Sequence, residues 1–381
     1  MLSEIAGNRE KDGRPIAFFV PRLNGGGAQR VVVNLANALA AKVERPIHIV
    51  LAAAEGPFLK EVSGDVKVVD LKTARASRSV FALSSYIRRH NPCVLCATLD
   101  YANIVAVIAH AMAGVKVRLV LREANVVRVE RGRRVSQVRQ RIRIYAMRVL
   151  YPRADCCVAI SEEVLASMLR AGLRIADRAV IISNPLRQGC VETHAFSPPW
   201  LPEPKPRFIC SVGRLSEQKG FDVLLEAFAL CQDQNLHLVI MGEGRLYDCL
   251  RKQSRRLNVQ DRVHLPGFVS DPMEILASAS AFVSSSRWEG VSNSLLEALQ
   301  CGVSIVATDC PGATRTLLEG GRYGHLVPVD DPAALAEGII RAISQPAGTP
   351  EGRKRKAQEF APHRIAEQYL EEAFFPVGTN G

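Results

Sequence analysis

The chain has 381 residues, 48% hydrophobic and 23% charged, with 27 Gly, 21 Pro, 10 Cys and a formal net charge of +11. This composition excludes a disordered chain, since so much apolar side chain can bury enough surface to offset its ordering entropy, and it excludes a small disulfide scaffold. The length exceeds what one core usually serves, so about two domains are expected.

The charge is unevenly divided. Residues 1–190 hold 30 Lys and Arg against 15 Asp and Glu, whereas residues 191–381 hold 19 against 23. A flexible terminus is expected over 1–14, and from residue 15 short β-branched runs alternate with amphipathic stretches: PIAFFV, then GAQRVVVNLANALAAK, then PIHIVLA. Strands alternating with helices imply a parallel sheet with crossover helices, here over 15–184. At the first such junction Gly25, Gly26 and Gly27 open a helix, where backbone N–H groups can approach an anion and the helix dipole favours negative charge. It is not a dinucleotide fingerprint, because the third glycine position holds Arg30.

Cys93 and Cys96 form the one Cys-x-x-Cys, but they lie in the strand-like NPCVLCATL, where residues three apart face opposite sides, so a core role is expected. The other cysteines also sit mostly in apolar runs with no leader before them, which suggests a reducing, cytoplasmic compartment. The apolar stretch Ile104 to Val115 is shorter than the roughly 18 residues a membrane span needs. Further on, Arg128, Arg131, Arg133, Arg134, Arg139, Arg141, Arg143, Arg148 and Arg153 crowd one segment. Val138, Ile142, Tyr145, Ala146 and Leu150 recur through it at helical spacing, so it reads as a basic amphipathic helix. A solvated charged face and docking on anionic lipid headgroups both fit that pattern. Nucleic-acid binding fits less well, since aromatics for stacking are only 6% of the chain.

Six prolines between Pro185 and Pro206 mark a linker over 185–206. The alternation restarts at RFICSVG and runs over 207–358, giving two doubly wound domains, with ligands expected at the C-terminal strand ends facing the cleft between them. Arg214 and Lys219 bracket the first loop of this half, a pair of cations suited to a diphosphate or, equally, to surface ion pairs. Glu289 falls in a later loop and Glu297 in the helix after it, capped by Ser292 or Asn293 and stopped by Gly302. Such a carboxylate pair can accept from sugar hydroxyls beside a phosphate at the helix end. QPAGTPEGRKRKA reads as a polar loop whose Arg353 to Lys356 run is a solvated charge cluster.

GGGAQR, GRLSEQKG, GEG at Gly242 to Gly244, LPGFVSD, the glutamate pair and VATDCPG occur in one order and spacing. On these motifs the sequence resembles the retaining glycosyltransferases of family 4, over nearly the whole chain from about Ile16 to Ile343. The resemblance implies the α/β GT-B fold, two doubly wound Rossmann-like domains facing a central cleft, with a helix over 359–381 returning towards the first domain. It implies catalytic roles for Glu289 facing the transferred sugar and for Arg214 and Lys219 on the donor diphosphate. Donor binding would further involve Glu297 at the ribose, Gly213, Gly290 and the backbone near Ser294 and Leu295, Val269 near the base, and Gly26 and Gly27 from the first domain. Asp100, Asn103, Arg122 and Asn125 occupy the first domain's strand ends and are assigned to the acceptor. Two places depart from the family: Val291 and Ser292 replace an aromatic and a proline, and Thr316 replaces an acid, all at the sugar pocket or its rim.

The expected reaction is transfer of a hexosyl or N-acetylhexosaminyl group from a UDP- or GDP-sugar to a lipid-linked saccharide in surface polysaccharide assembly. Preorganised cations and the helix dipole would meet the charge on the leaving phosphate, and no cofactor or metal is expected. An anionic membrane surface is the expected partner, with a peripheral cytoplasmic location and no nucleic acid. A soluble acceptor and a catalytically silent membrane-associated relative remain as alternatives.

Overall fold

The computed structural model describes residues 13–73, 78–127, 134–187, 200–202 and 206–376. Most of the expected flexible terminus and linker, and Arg128, Arg131 and Arg133, lie outside the described residues. The chain divides into two compact units, Met1–Pro185 with Pro362–Gly381, and Leu186–Ala361.

The first unit is a seven-stranded parallel sheet of β1 (Ile16–Val20), β2 (Ile47–Leu51), β3 (Val66–Asp70), β4 (Val94–Thr98), β5 (Arg118–Glu123), β6 (Cys156–Ala159) and β7 (Ala179–Ile181), ordered β3-β2-β1-β4-β5-β6-β7. Its crossovers are α1 (Gly27–Ala40), α2 (Ser79–His90), α3 (Asp100–Ala113), α4 (Arg134–Leu150) and α5 (Glu162–Arg170). Strands such as IAFFV and VLCAT are buried on both faces, as crossover helices on both sides of a parallel sheet require. Asn91 at φ 40° and Gly114 at φ 66° end α2 and α3 in the left-handed conformation.

The second unit carries β8 (Arg207–Val212), β9 (Leu236–Met241), β10 (Val263–Gly267), β11 (Ala281–Ser284), β12 (Ile305–Thr308) and β13 (His325–Val327), all parallel, in the order β10-β9-β8-β11-β12-β13. With them go α6 (Phe221–Leu230), α7 (Tyr247–Arg256), α8 (Met273–Ser278), α9 (Asn293–Cys301), α10 (Thr314–Leu317), α11 (Pro332–Ser344) and α12 (Pro350–Ala357). In each sheet the order reverses beside the first strand, β1 or β8, which makes the strand ends there the natural place for a ligand in a doubly wound fold.

One expectation is corrected here. GTPEGRKRKA is not a loop with a solvated basic cluster: Thr349 caps α12 by accepting from Gly352 N–H, Pro350 opens it, and Arg353 is buried. Its guanidinium donates to the carbonyls of Gly302 (3.1 Å), Ala347 (2.6 Å) and Gly348 (3.3 Å), so it ties the C-terminal end of α9 to the loop that leads into α12.

After Ala361 the chain returns to the first unit. Pro362, which has no N–H to donate, opens α13 (Pro362–Gln368), and the helix widens to a π turn over Tyr369–Phe374. Ile365, Tyr369, Ala373 and Phe374 join the core built by β1, β2 and α1, with the Phe374 ring 6.0 Å from that of Phe18. Arg118 Nε donates to Ala373 O at 2.8 Å, fastening the segment to the sheet. Phe374→Ala removes a fully buried ring, so it is expected to destabilise the first unit by about 3–5 kcal/mol, measured by urea unfolding.

Candidate functional site

In the second unit the loops after β8, β9 and β10 are laced together at the C-terminal strand ends. Gly213 N–H donates to Met241 O (2.9 Å), Leu215 N–H to Glu243 O (2.9 Å) and Gly242 N–H to Gly267 O (2.8 Å). Gly242 stands at φ 141°, and a Cβ there would lie 2.0 Å from Gly213 O, so only glycine permits this approach.

Lys219 ends the single turn Glu217–Lys219, and Gly220 follows at φ 60° against Ser285 O. Its Nζ donates to Glu289 Oε1 at 2.5 Å, and Ser286 Oγ donates to the same oxygen at 2.7 Å. Ser285 Oγ donates to Lys219 O (2.8 Å), and Glu289 N–H donates to Pro311 O (2.9 Å). The Lys219 stem runs over Gly213, where a Cβ would fall 2.8 Å from Lys219 Cε. The two charged side chains are 17% and 8% exposed, a pair largely removed from water and supported by a hydroxyl donor. Two residues expected in separate roles, at the diphosphate and at the sugar, thus meet in one ion pair.

Gly290, Ser294, Leu295, Glu297, Arg214 and Val269, the other second-unit residues expected at the donor besides Gly213, lie on α9 and on the loops after β8, β10 and β11. Gly290 O accepts from Ala313 N–H (3.0 Å), and the β12–α10 loop presses against Glu289 through Gly312 at φ 136°. Ser292 caps α9, its Oγ accepting from Leu295 N–H at 3.4 Å and lying 3.1 Å from Ser294 Oγ. The Leu295 N–H is therefore directed to the cap hydroxyl, and a phosphate can use it only by displacing that hydroxyl. Glu297 is buried in the second turn of α9. Arg214 is exposed beside Gly213, and Val269 is half-buried just beyond β10. Sequence reasoning missed Ser285, Ser286 and Arg287, although three consecutive serines running out of the end of a buried strand were a visible signal.

In the first unit Gly26 precedes α1 and Gly27 is its first residue; Gln29 folds back so closely that a Gly26 Cβ would lie 2.1 Å from its Oε1. The acceptor expectation is corrected at two residues. Asn103 and Arg122 are interior. Asn103 Nδ2 donates to Arg122 O (3.1 Å) and the Tyr151 hydroxyl (3.0 Å), and that hydroxyl donates to Glu123 Oε2 (2.9 Å). Arg122 donates to Thr98 Oγ1 (3.2 Å) and to Asn184 Oδ1. These side chains tie strand ends together below the surface. Asp100, paired with Arg143 of α4 at 2.7 Å, and exposed Asn125 stand at the same strand ends nearer to solvent. Burial, with Asp100 nearby, pushes the Glu123 carboxyl up to about 7.

Helix α4 turns Ile144 and Met147 inwards and leaves Val138, Ile142, Tyr145 and Val149 exposed among Arg139, Arg141 and Arg148. Among the described residues no helix is long and apolar enough to cross a membrane, and no group of three His, Cys, Asp or Glu is placed to share a metal ion.

Comparison with known proteins places residues 26–185 in the family described as glycosyl transferase 4-like domain and residues 194–360 in glycosyl transferases group 1. The chain is 28% identical, over 85% of its length and 88% of the relative's, to the Campylobacter jejuni N-acetylgalactosamine-N,N'-diacetylbacillosaminyl-diphospho-undecaprenol 4-alpha-N-acetylgalactosaminyltransferase. It is 25% identical, over 93% of its length and 97% of the relative's, to the same organism's GalNAc-alpha-(1->4)-GalNAc-alpha-(1->3)-diNAcBac-PP-undecaprenol alpha-1,4-N-acetyl-D-galactosaminyltransferase. The solved structure of Anabaena HepE in complex with UDP and glucose matches with a TM-score of 0.77 at 19% identity, covering 94% of this chain and 98% of that one. The shared fold is GT-B, built from two Rossmann-like domains.

Two outcomes follow from the charges. Glu289→Gln leaves Lys219 without its counter-charge and is expected to cost about 1–3 kcal/mol in urea unfolding. Glu217→Gln, which breaks the exposed pair with Arg245, is expected to cost about 0–1 kcal/mol. In the first unit a carboxyl raised from 4.5 to about 7 stabilises the fold fully below pH 4.5 and loses that contribution as pH rises through 7. Unfolding followed from pH 4 to 8 should show this fall, and Glu123→Gln should flatten it.

Proposed function

Since the chain belongs to the glycosyltransferases, with a family 4-like first half and a group 1 second half, we propose that it transfers a hexosyl or N-acetylhexosaminyl group from a nucleotide diphosphate sugar to a lipid-linked saccharide, with retention. The observation that carries this reading is the Lys219–Glu289–Ser286 cluster at the strand ends of the second sheet, beside the N-terminus of α9.

In this reading Arg214 and Lys219 meet the donor diphosphate, and the end of α9, with the backbone near Gly290 and Ser294, adds partial positive charge. Glu289, anchored by Lys219 and Ser286, faces the transferred sugar. Glu297 accepts from the ribose hydroxyls, and Val269 lines the base. The bond from the anomeric carbon to the diphosphate oxygen breaks as the acceptor oxygen bonds to that carbon on the same face. The acceptor's proton passes to the leaving phosphate oxygen, so charge balances without a separate base. Cations and dipoles fixed before the reaction stabilise the departing phosphate most, because its charge grows in the transition state. No metal is required by this scheme, the protein's cations supplying the counter-charge.

The acceptor class draws support from the two Campylobacter relatives, whose names specify diphospho- or PP-undecaprenol saccharides, and from the basic first half of the chain. A lipid-linked acceptor lies at a membrane, and the exposed stripe Val138, Ile142, Tyr145 and Val149 among arginines suits an anionic leaflet, apolar side chains entering the interface and guanidinium groups meeting headgroups. Asp100 and Asn125 are the side chains we assign to the acceptor saccharide.

Thermal stabilisation by UDP, GDP and ADP tests the donor site: one nucleoside diphosphate should raise the melting temperature, and an Arg214→Ala, Lys219→Ala double variant should lose the effect. Absence of any shift in the folded wild type would sink this reading. Each single substitution should slow transfer about 10²- to 10³-fold. Sedimentation with anionic and neutral liposomes tests the surface. Binding should favour anionic vesicles, weaken with salt and drop in Ile142→Glu; equal partition between the two vesicle types would dismiss it.

A further inference from the structure

We propose that Arg287 is the positioning residue of this site, holding the turn that carries Lys219 where its ammonium meets Glu289. Arg287 lies in the loop after β11, two residues before Glu289. Its backbone N–H donates to Gln218 O at 2.7 Å, and Nη1 donates to Glu217 O at 2.8 Å, so both main chain and side chain grip the Glu217–Lys219 turn. Gln218 Nε2 returns a bond to Trp288 O at 3.0 Å.

The guanidinium is anchored on its other edges. Nη1 and Nη2 reach Asp222 Oδ1 and Oδ2 at 3.0 and 2.7 Å, a two-pronged pair at the first turn of α6, and Nε reaches Asp330 Oδ1 at 2.6 Å. Asp330 holds φ 57°, a conformation uncommon for a side chain other than glycine, directly before the Asp331 cap of α11. One planar group therefore joins the Lys219 turn, the helix that follows it, the start of α11 and the loop that leads to Glu289.

Arginine is required by this geometry. Lysine offers a point charge without the fixed fork that satisfies a carboxylate and a carbonyl at once. Arg287 has all three nitrogens engaged by protein acceptors, so it acts through Lys219 and Glu289 and does not itself take the donor. The bearing on catalysis rests on the donor-site reading above; the positioning of Lys219 does not.

Arg287→Lys and Asp222→Asn, each in the full chain, separate the two. Brief acetic anhydride labelling, resolved by mass spectrometry, reads the reactivity of the Lys219 amine, with exposed Lys252 and Lys354 as internal references. Freed from its clamp, Lys219 should label on the order of tenfold faster in both variants while the references stay constant. Calorimetric titration with UDP and GDP should show weaker binding in both, and Arg287→Lys added to Lys219→Ala should weaken it no further. Unchanged Lys219 labelling, or labelling that rises equally at all three lysines, would overturn the positioning role. If wild type binds neither nucleotide while Lys219 labelling rises selectively, the donor reading fails and the positioning stands.

Discussion

The second unit depends on one ion pair between residues seventy positions apart, Lys219 and Glu289. Taking an ammonium and a carboxylate largely out of water is unfavourable unless their geometry is good and the remaining lone pairs are met. The surrounding details serve that condition. Gly213 leaves a path for the lysine stem, Gly220 lets its turn close against Ser285, and Ser286 donates to the same carboxylate oxygen. Gly312 brings the next loop against the glutamate's carbonyl. The glycines and serines of this region are steric and polar conditions for a charge pair, and the chemistry proposed for the site begins from them.

Much of this was legible in the chain. The alternation of short β-branched runs with amphipathic stretches announced two parallel sheets, and the motif order marked the loops that the fold brings to the strand ends. What escaped reading was which polar groups would choose each other. Nothing in a spacing shows that Lys219 and Glu289 share a proton-donor bond, or that Arg287 reaches into the turn before Lys219. Those contacts depend on loop conformations that hydrophobic periodicity does not encode.

The same limit explains the two places where expectation and structure part. Arg122 near the end of β5 and Asn103 in the first turn after β4 sit where ligands gather in this class of fold, yet their side chains turn inwards, Asn103 meeting the Arg122 carbonyl and the Tyr151 hydroxyl and Arg122 meeting Thr98 Oγ1 and Asn184 Oδ1. Arg353, one of four consecutive basic residues, finds the carbonyl at the end of α9 and two more in the loop before α12, while Lys354 and Arg355 beside it are exposed. Composition describes a run of charge; it does not say which member of the run has acceptors within reach. Conversely, of the apolar residues of α4 that suggested a basic amphipathic helix, Val138, Ile142 and Tyr145 are exposed and Ala146 and Leu150 half-buried, whereas Ile144 and Met147 turn into the core.

The return of Pro362–Phe374 into the first core has a consequence for biogenesis. Tyr369 and Phe374 fill space between elements made hundreds of residues earlier, so the first unit lacks part of its interior until translation has passed Phe374. The second unit, contiguous from Leu186 to Ala361, has all its strands and helices before then. Domains of a nascent chain usually mature in the order of synthesis. Here the amino-terminal half waits, with β1 and α1 missing the aromatic side chains that cover them, and is completed last.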